Sequence, residues 1–415
     1  MSTSELLDVA PVGAAEYAAT EDRCREVLGT AQTTLVLQGE ATVALEAAAR
    51  GLGRPGGRAL NLVSGPYGAI FGEWLAEAGS EVEDLVVPFD RAVRPEQVEE
   101  ALDRLGSVDL VSLVQAEAAT GVVNNLAAIA RLAHARGALV VVDAVAAVGA
   151  EPLAIDDWQL DLVVLSAQKA LAGPAGVSML TVSSGAWAAL AAHPSPRRGS
   201  VLSLLDWHDR WVGAGRSVLP VIPAHLETRA LGAAMARVQA EGMDRVVARH
   251  RAAALATRAA LVPLGLEPWA RQSGEAASVA TVVRAPTEGA GALVEAALAA
   301  AGDLSAPLST APGSLATDAF RVNHTGRRAT LPSVWSAVVA LAKGLDALGH
   351  DADVASALAI ATSTWYGSIE DQRAVEDRPA VEDLRVVEDR PAVEDRPAVE
   401  DLRVVEDRPT RPPAG

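Results

Sequence analysis

Apolar residues fall along this chain in two rhythms. Short continuous runs recur at Leu35–Leu37, Ala59–Val63, Leu110–Val114, Ala138–Asp143 and Leu162–Ser166. Most are separated by stretches with helical spacing: Val43–Gly51, Tyr67–Ala78, Pro95–Leu105 and Asn125–Arg136. Strands apolar on both faces and joined by helices predict a mainly parallel α/β sheet with helices covering it. After Leu219 the rhythm changes. A long Ala/Arg/Leu helical region from Leu226 to about Leu264 leads to a strand at Ser278–Arg284. A helix at Ala290–Ala301, a strand at Phe320–Asn323 and a helix at Leu331–Leu348 follow. The pattern predicts a large α/β domain over 1–245 and a small C-terminal α+β domain over 246–360.

Residues 369–415 break both rhythms. Ala374–Pro391 reads AVEDRPAVEDLRVVEDRP and Ala392–Pro409 repeats it letter for letter. Proline recurs where a helix needs a backbone donor, and each copy has too little apolar surface for a core. A disordered acidic repeat tail is expected there.

Half of the residues are apolar, which suffices for a sizeable core. The formal charge of −18 argues against a nucleic-acid partner, which requires a basic stripe. Cys24 is the single cysteine, so neither a disulfide framework nor a cysteine metal site is expected. The histidines are scattered, without paired ligand spacing, and no metal is expected. The N-terminus has no basic, apolar leader and no apolar run is long enough for a membrane span. These features predict a soluble, cytoplasmic protein with no membrane partner. Gly51–Gly56 fits G-x-G-x-x-G, but it follows a helix and precedes a strand, the reverse of the dinucleotide-binding order, and reads as a helix stop and turn.

Only two of the 35 Lys and Arg residues are lysines, Lys169 and Lys343. A GC-rich genome explains the scarcity, so position decides what each lysine means. Lys343 lies within a helical stretch and reads as a solvated cation. Lys169 follows the strand Leu162–Ser166 and precedes the small, apolar Ala170–Pro174; Asp143 closes the strand before it. If the two strands are parallel neighbours, both side chains emerge at the edge where α/β sheets bind ligands. A desolvated lysine is a competent nucleophile toward carbonyls. With a carboxylate to keep a pyridine nitrogen protonated, the pair suggests pyridoxal chemistry.

The run Ala116-Glu-Ala-Ala-Thr120-Gly121, the strand end Val142-Asp143 and Ser166-Ala-Gln168-Lys169-Ala-Leu-Ala-Gly-Pro resemble class V aminotransferases of the alanine/serine–glyoxylate type. Phe320-Arg321-Val-Asn-His-Thr-Gly326 is similar to their C-terminal arginine strand. The resemblance covers about 8–349 in order. It implies a fold type I, PLP-transferase-like architecture, a homodimer or dimer of dimers with shared sites, and a small-molecule amino donor and keto acid as partners. It implies Lys169 as the Schiff-base lysine, Asp143 as the partner of the pyridine nitrogen, Tyr67 as the ring-stacking aromatic and Arg321 as the substrate carboxylate clamp. Gly39, Glu40, Ala41, Ala118 and Gln168 fall at cofactor-contacting positions.

The phosphate position separates branches of the family. In Leu37-Gln-Gly39-Glu40-Ala41-Thr42 a glutamate stands where phosphate-dependent members have a small residue. Unit charges of like sign 4 Å apart repel by about 4 kcal/mol at an effective dielectric of 20. Val218–Pro223 also lacks the donors that a partner subunit lends to the phosphate. Together with Leu60–Gly68 and Pro196–Trp207, these features are similar to the pyridoxamine–pyruvate branch. There the vitamin is a substrate and a glutamate contacts its 5′-hydroxyl. The expected reaction is amino transfer between pyridoxamine and pyruvate, with pyridoxal and pyridoxamine bound as substrates. The alternative is an alanine or serine–glyoxylate aminotransferase that depends on pyridoxal 5′-phosphate. Leu7, Pro312 and Ala118 depart from the branch, where a tyrosine, a second arginine and a hydroxyl residue stand.

Overall fold

The computed structural model describes residues 9–302 and 304–376; the remainder of the repeat tail, and Leu7, lie outside the described residues. Its centre is a seven-stranded sheet in the order β1-β9-β8-β7-β4-β2-β3. The strands are β1 (Thr33–Gln38), β2 (Arg58–Val63), β3 (Glu81–Val86), β4 (Leu110–Val114), β7 (Leu139–Asp143), β8 (Leu162–Ser166) and β9 (Val177–Val182). All neighbouring pairs from β8 to β3 are parallel, and β9 runs antiparallel to both β1 and β8. The strands β4, β8 and β9 are buried at every position. Helices on both faces explain why such runs carry no polar alternation.

Two of these strands escaped the apolar pattern. In β3, Glu-Val-Glu-Asp-Leu-Val is charged because it forms an open edge, where charge discourages pairing with another chain. In β9, Val-Ser-Met-Leu-Thr-Val, buried Ser178 and Thr181 interrupt the apolar run. The helical region expected over 226–264 consists of two helices. They meet at Gly242, whose φ of 89° lies in the left-handed region that favours glycine. The Gly51–Gly56 run closes a helix and turns into β2, as its order implied.

Four helices precede β4, and the second and third of them carry residues of the site. They are α1 (Ala14–Leu28), α2 (Ala41–Leu52), α3 (Pro66–Glu77) and, beyond β3, α4 (Pro95–Leu105). Buried alanines 41, 44, 47, 48 and 49 let α2 lie close to the sheet. Pro66 starts α3, with its fixed φ and no wasted donor. Asn61 in the middle of β2 seats that helix: its amide donates to Gly68 O at 3.0 Å and to Asp84 at 2.8 Å, and accepts from Ser112 at 2.7 Å. An unpartnered polar group there would cost about 1–3 kcal/mol, so this network specifies the register of three strands and α3. A two-residue hairpin, β5 (Ala116–Glu117) with β6 (Val122–Val123), projects from the end of β4. It precedes α5 (Leu126–His134).

After β9 come α6 (Ser184–Ala191), the short α7 (Leu204–Trp207), α8 (His225–Glu241) and α9 (Met243–Leu261). A second core gathers the far half of α9, a three-stranded antiparallel sheet of β10 (Thr281–Arg284), β12 (Ala319–Val322) and β11 (Leu308–Thr310), and three helices. The helices are α10 (Ala290–Ala301), α11 (Leu331–Ala347) and α12 (Val354–Glu376). Val246 belongs to the first core and Ala253, Ala256 and Ala260 to the second, so α9 is shared. A boundary at 245/246 therefore falls inside a helix. The last helix also runs to Glu376, beyond the 369 start assigned to the tail. Among the described residues no helix is long and apolar enough to cross a membrane.

Candidate active site

The register of β7 and β8 pairs Asp143 with Val164 in parallel strands, so Asp143 and the lysine loop leave the sheet at the same edge. They line a cavity of about 300 Å³ together with Glu40, Tyr67, Ala118 and Gln168. The sequence-predicted residues Ala41, Asp143 and Lys169 also line it. Two others stand back from it. Gly39 shapes the turn into α2 with a φ of 122°, and a Cβ there would lie 2.6 Å from Val43. Arg321, on β12, is outside the lining but reaches its rim, with its guanidinium donating to Ala118 O at 3.4 Å.

Lys169 is partly buried. Desolvation lowers its pKa, and the nearby carboxylates of Asp143, Glu117 and Glu40 oppose that shift. Its amine lies 5.7 Å from the centre of the Tyr67 ring. Asp143 is buried; loss of water raises its pKa, and Lys169 and the Val145 N–H at 2.9 Å hold it down. Among the described residues its second oxygen has no hydrogen-bond partner. Arg321 Nε is likewise buried and unpaired, its bond to Ser309 is long at 3.4 Å, and no described carboxylate forms an ion pair with it. A buried anion and a cation with free hydrogen-bonding capacity fit a ligand that brings a cationic ring nitrogen and a carboxylate. The residues present therefore fit a pyridoxal-type group.

Glu40 caps α2 from its N-terminus. Thr42 N–H donates to one carboxylate oxygen at 2.9 Å, and Gln168 Nε2 donates to the other at 2.6 Å. Gln168 is in turn held by the Ser166 hydroxyl. Partial burial raises the Glu40 pKa, but the Thr42 and Gln168 hydrogen bonds outweigh it, so the group lies below its ordinary value and is ionised at neutral pH. Thr42 and Ser166 were absent from the expected site. Thr42 meets Glu40 within the same helix start, whereas only the fold brings Gln168, and Ser166 behind it, to Glu40.

Glu117 is the larger omission. It is buried, and its pKa is pushed up to about 7, first by burial and next by Asp143. A lone acid in the run Ala116–Ala119 was the available signal. A second omission is the tie behind the lysine. Gly326, with a φ of 62°, packs so closely that a Cβ would sit 2.8 Å from Lys169 O. Its N–H donates to His250 Nε2 at 3.0 Å, and its carbonyl accepts from Arg249 at 2.5 Å. Burial lowers the His250 pKa to about 4, which keeps that acceptor available at neutral pH. The loop following Arg321 is thereby fastened to α9 and packed against the lysine segment. Pro312 follows β11 and brings no charge to the rim.

Comparison with known proteins identifies the family. The family described as aminotransferase class-V matches residues 4–298. The chain belongs to the class V aminotransferases. These are pyridoxal phosphate-dependent enzymes, and the chain is accordingly a transaminase of fold type I. It is 32% identical over 347 residues to pyridoxamine–pyruvate transaminase of Mesorhizobium japonicum, covering 83% of this chain and 87% of the relative. It is 30% identical over 239 residues to serine–glyoxylate aminotransferase of Methylorubrum extorquens, covering 56% and 58% of the two chains. The crystal structure of pyridoxamine–pyruvate aminotransferase from Mesorhizobium loti superposes with a TM-score of 0.80 at 30% identity, covering 85% of this chain and 89% of that one.

Proposed function

We propose that this transaminase exchanges an amino group between pyridoxamine and pyruvate, giving pyridoxal and alanine. The observation that carries the reading is the ionised Glu40 at the N-terminus of α2. A helix N-terminus is ordinarily a ready phosphate site. Here its positive end and the Thr42 N–H are already taken by a fixed carboxylate. A neutral 5′-hydroxyl can donate to that carboxylate, whereas a phosphate dianion is repelled by it.

The vitamin, when bound, supplies a ring that takes up the electron pair left on deprotonation of carbon. The chain supplies the rest. Lys169 Nζ is the amine that holds the vitamin, and its depressed pKa suits it to accept and return a proton as general base and acid. The Asp143 carboxylate holds a proton on the ring nitrogen, and that cation would relieve its burial. Arg321 orients the keto acid through its free guanidinium N–H groups. Tyr67 presents a face beside Lys169 for the ring.

The active unit in this reading is a homodimer. Val218 and Ile222 are 71% and 81% exposed, and Gln38 Nε2 donates to Ile222 O at 2.6 Å. An exposed apolar segment is thus tied to Gln38, two residues before Glu40, where a second copy would shelter the cavity. A second reading, amino transfer from alanine or serine to glyoxylate with pyridoxal 5′-phosphate, draws on the family's phosphate dependence and on the similarity to serine–glyoxylate aminotransferase. Purified protein incubated with pyridoxamine and pyruvate, without phosphate ester, is expected to form alanine and pyridoxal in equal amounts. Absence of alanine, with the phosphorylated vitamin retained through purification, would overturn the first reading in favour of the second.

A further inference from the structure

Glu117 lies in β5, paired with Val122 across the hairpin, and its side chain is fully buried. Its carboxyl oxygens meet two backbone donors: Tyr67 N–H at 3.2 Å and Ala119 N–H at 3.3 Å. Tyr67 is in the first turn of α3, where the N–H groups have no intrahelical acceptor. The N-cap residue, Gly65, has no side chain with which to supply one. The acceptor comes instead from a residue 50 positions further along the chain.

The space for it is also specified. A Cβ on Gly65 would lie 2.2 Å from Glu117 Cγ and 2.5 Å from Glu117 Oε2. Gly65 has a φ of 177°, extended backbone that any residue adopts. Glycine at this position therefore answers to the glutamate, not to the backbone. The ionisable groups facing Glu117 are Asp143 from β7, Lys169 from the loop after β8 and Tyr67 from α3. Arg321 on β12 reaches the carbonyl of the adjacent Ala118.

We propose that Glu117 is a positioning residue: seated in the slot left by Gly65, it caps α3 through the Tyr67 N–H and so fixes the Tyr67 ring beside Lys169 for the vitamin. The inference rests on the reading that this cavity holds pyridoxal. Glu117 touches no reacting atom. Its elevated pKa adds a second consequence, because the cap gains charge as pH rises through the neutral range.

The test is equilibrium binding of pyridoxal to the full-length protein, followed by the absorbance change of vitamin bound at Lys169, with Lys169→Ala as the blank. Glu117→Ala is expected to weaken binding on the order of tenfold, the scale of a lost buried hydrogen bond. Glu117→Gln keeps an oxygen acceptor and is expected to bind within about threefold of wild type, without its pH dependence around neutrality. Gly65→Ala should weaken binding as Glu117→Ala does, and the double variant should be no worse than either single one. In a Tyr67→Ala background, Glu117→Ala should have no further effect. Wild-type affinity in Glu117→Ala, or additive losses with Tyr67→Ala, would overturn the proposal. If Glu117→Ala does not fold, wild-type binding by Gly65→Ala together with an unchanged pH profile in Glu117→Gln would overturn it. Failure of wild type itself to bind pyridoxal would overturn the underlying reading, and this inference with it.

Discussion

Two glutamates flank the same lysine, and the fold drives them in opposite directions. Glu40 is exposed at a helix N-terminus, receives Thr42 and Gln168, and lies below its ordinary pKa. Glu117 is buried within the β5–β6 hairpin, shares its region with Asp143, and is pushed up to about 7. Chemically identical side chains thus become a permanent anion lining the cavity and a buried, titratable helix cap. The difference lies in solvent, donors and neighbouring charge, and identity alone predicts none of these.

The strongest way to break the comparison is to remove the cation between the two. Lys169→Ala should reduce the transamination rate at least about 10³-fold, since both proton transfer and attachment of the vitamin are lost. Steady-state alanine formation checks this, and appreciable residual activity would move the catalytic role elsewhere.

Glu40→Gln tests the anion lining the cavity. Removing the fixed anion should shift preference from free toward phosphorylated vitamin by about a hundredfold, less than the full repulsion because the group is partly solvated. Competitive binding of pyridoxal and its phosphate measures the ratio. An unchanged ratio would mean that Glu40 serves only as a helix cap.

Arg321→Gln probes the cation at the rim. It should raise the KM for pyruvate by roughly tenfold to a hundredfold, with a smaller change in pyridoxal affinity, as expected for a lost charge-assisted hydrogen bond. Equal losses for both ligands would relocate the arginine to the vitamin.

A smaller effect separates the glutamates by pH. Between its ordinary value of 4.5 and about 7, Glu117 binds a proton in the native state that it has released in the unfolded one. Stability therefore falls as pH rises through that window. Glu117→Gln should flatten this slope in denaturant titrations. Glu21, buried beside Trp211 and also pushed up to about 7, retains its own share of the slope. Glu40, with its lowered pKa, contributes the opposite sign: its stabilisation is present above 4.5 and is lost at lower pH. An identical slope in Glu117→Gln would place Glu117 outside the titrating set. Smallest of all, Lys343→Arg should leave activity unchanged, because Lys343 is exposed on α11 and reaches only Ala300 O at 3.3 Å.

Much of the lysine edge was legible in the sequence. Continuous apolar runs identified β4, β7 and β8 because strands covered on both faces have no other composition. A lysine and an aspartate at two of those strand ends were visible as breaks in the apolar text. The family resemblance then supplied the expected chemistry for Tyr67, Glu40 and Arg321. Edge strand β3 and the antiparallel β9 were not visible, since the first is charged by virtue of its edge and nothing local marks strand direction.

The sequence by itself determined which lysine and which aspartate end buried strands, and that a carboxylate opens α2 where a phosphate would be expected. Tertiary structure alone decided that Asp143 and Lys169 share an edge, since this depends on β7 pairing parallel with β8. It alone decided that Glu117 reaches Tyr67 across 50 residues, and that Gly326 closes on the Lys169 carbonyl. The physical reason is common to all three. Burial and hydrogen-bond partners are properties of long-range packing, and a residue's charge state at neutral pH follows from them and not from its name.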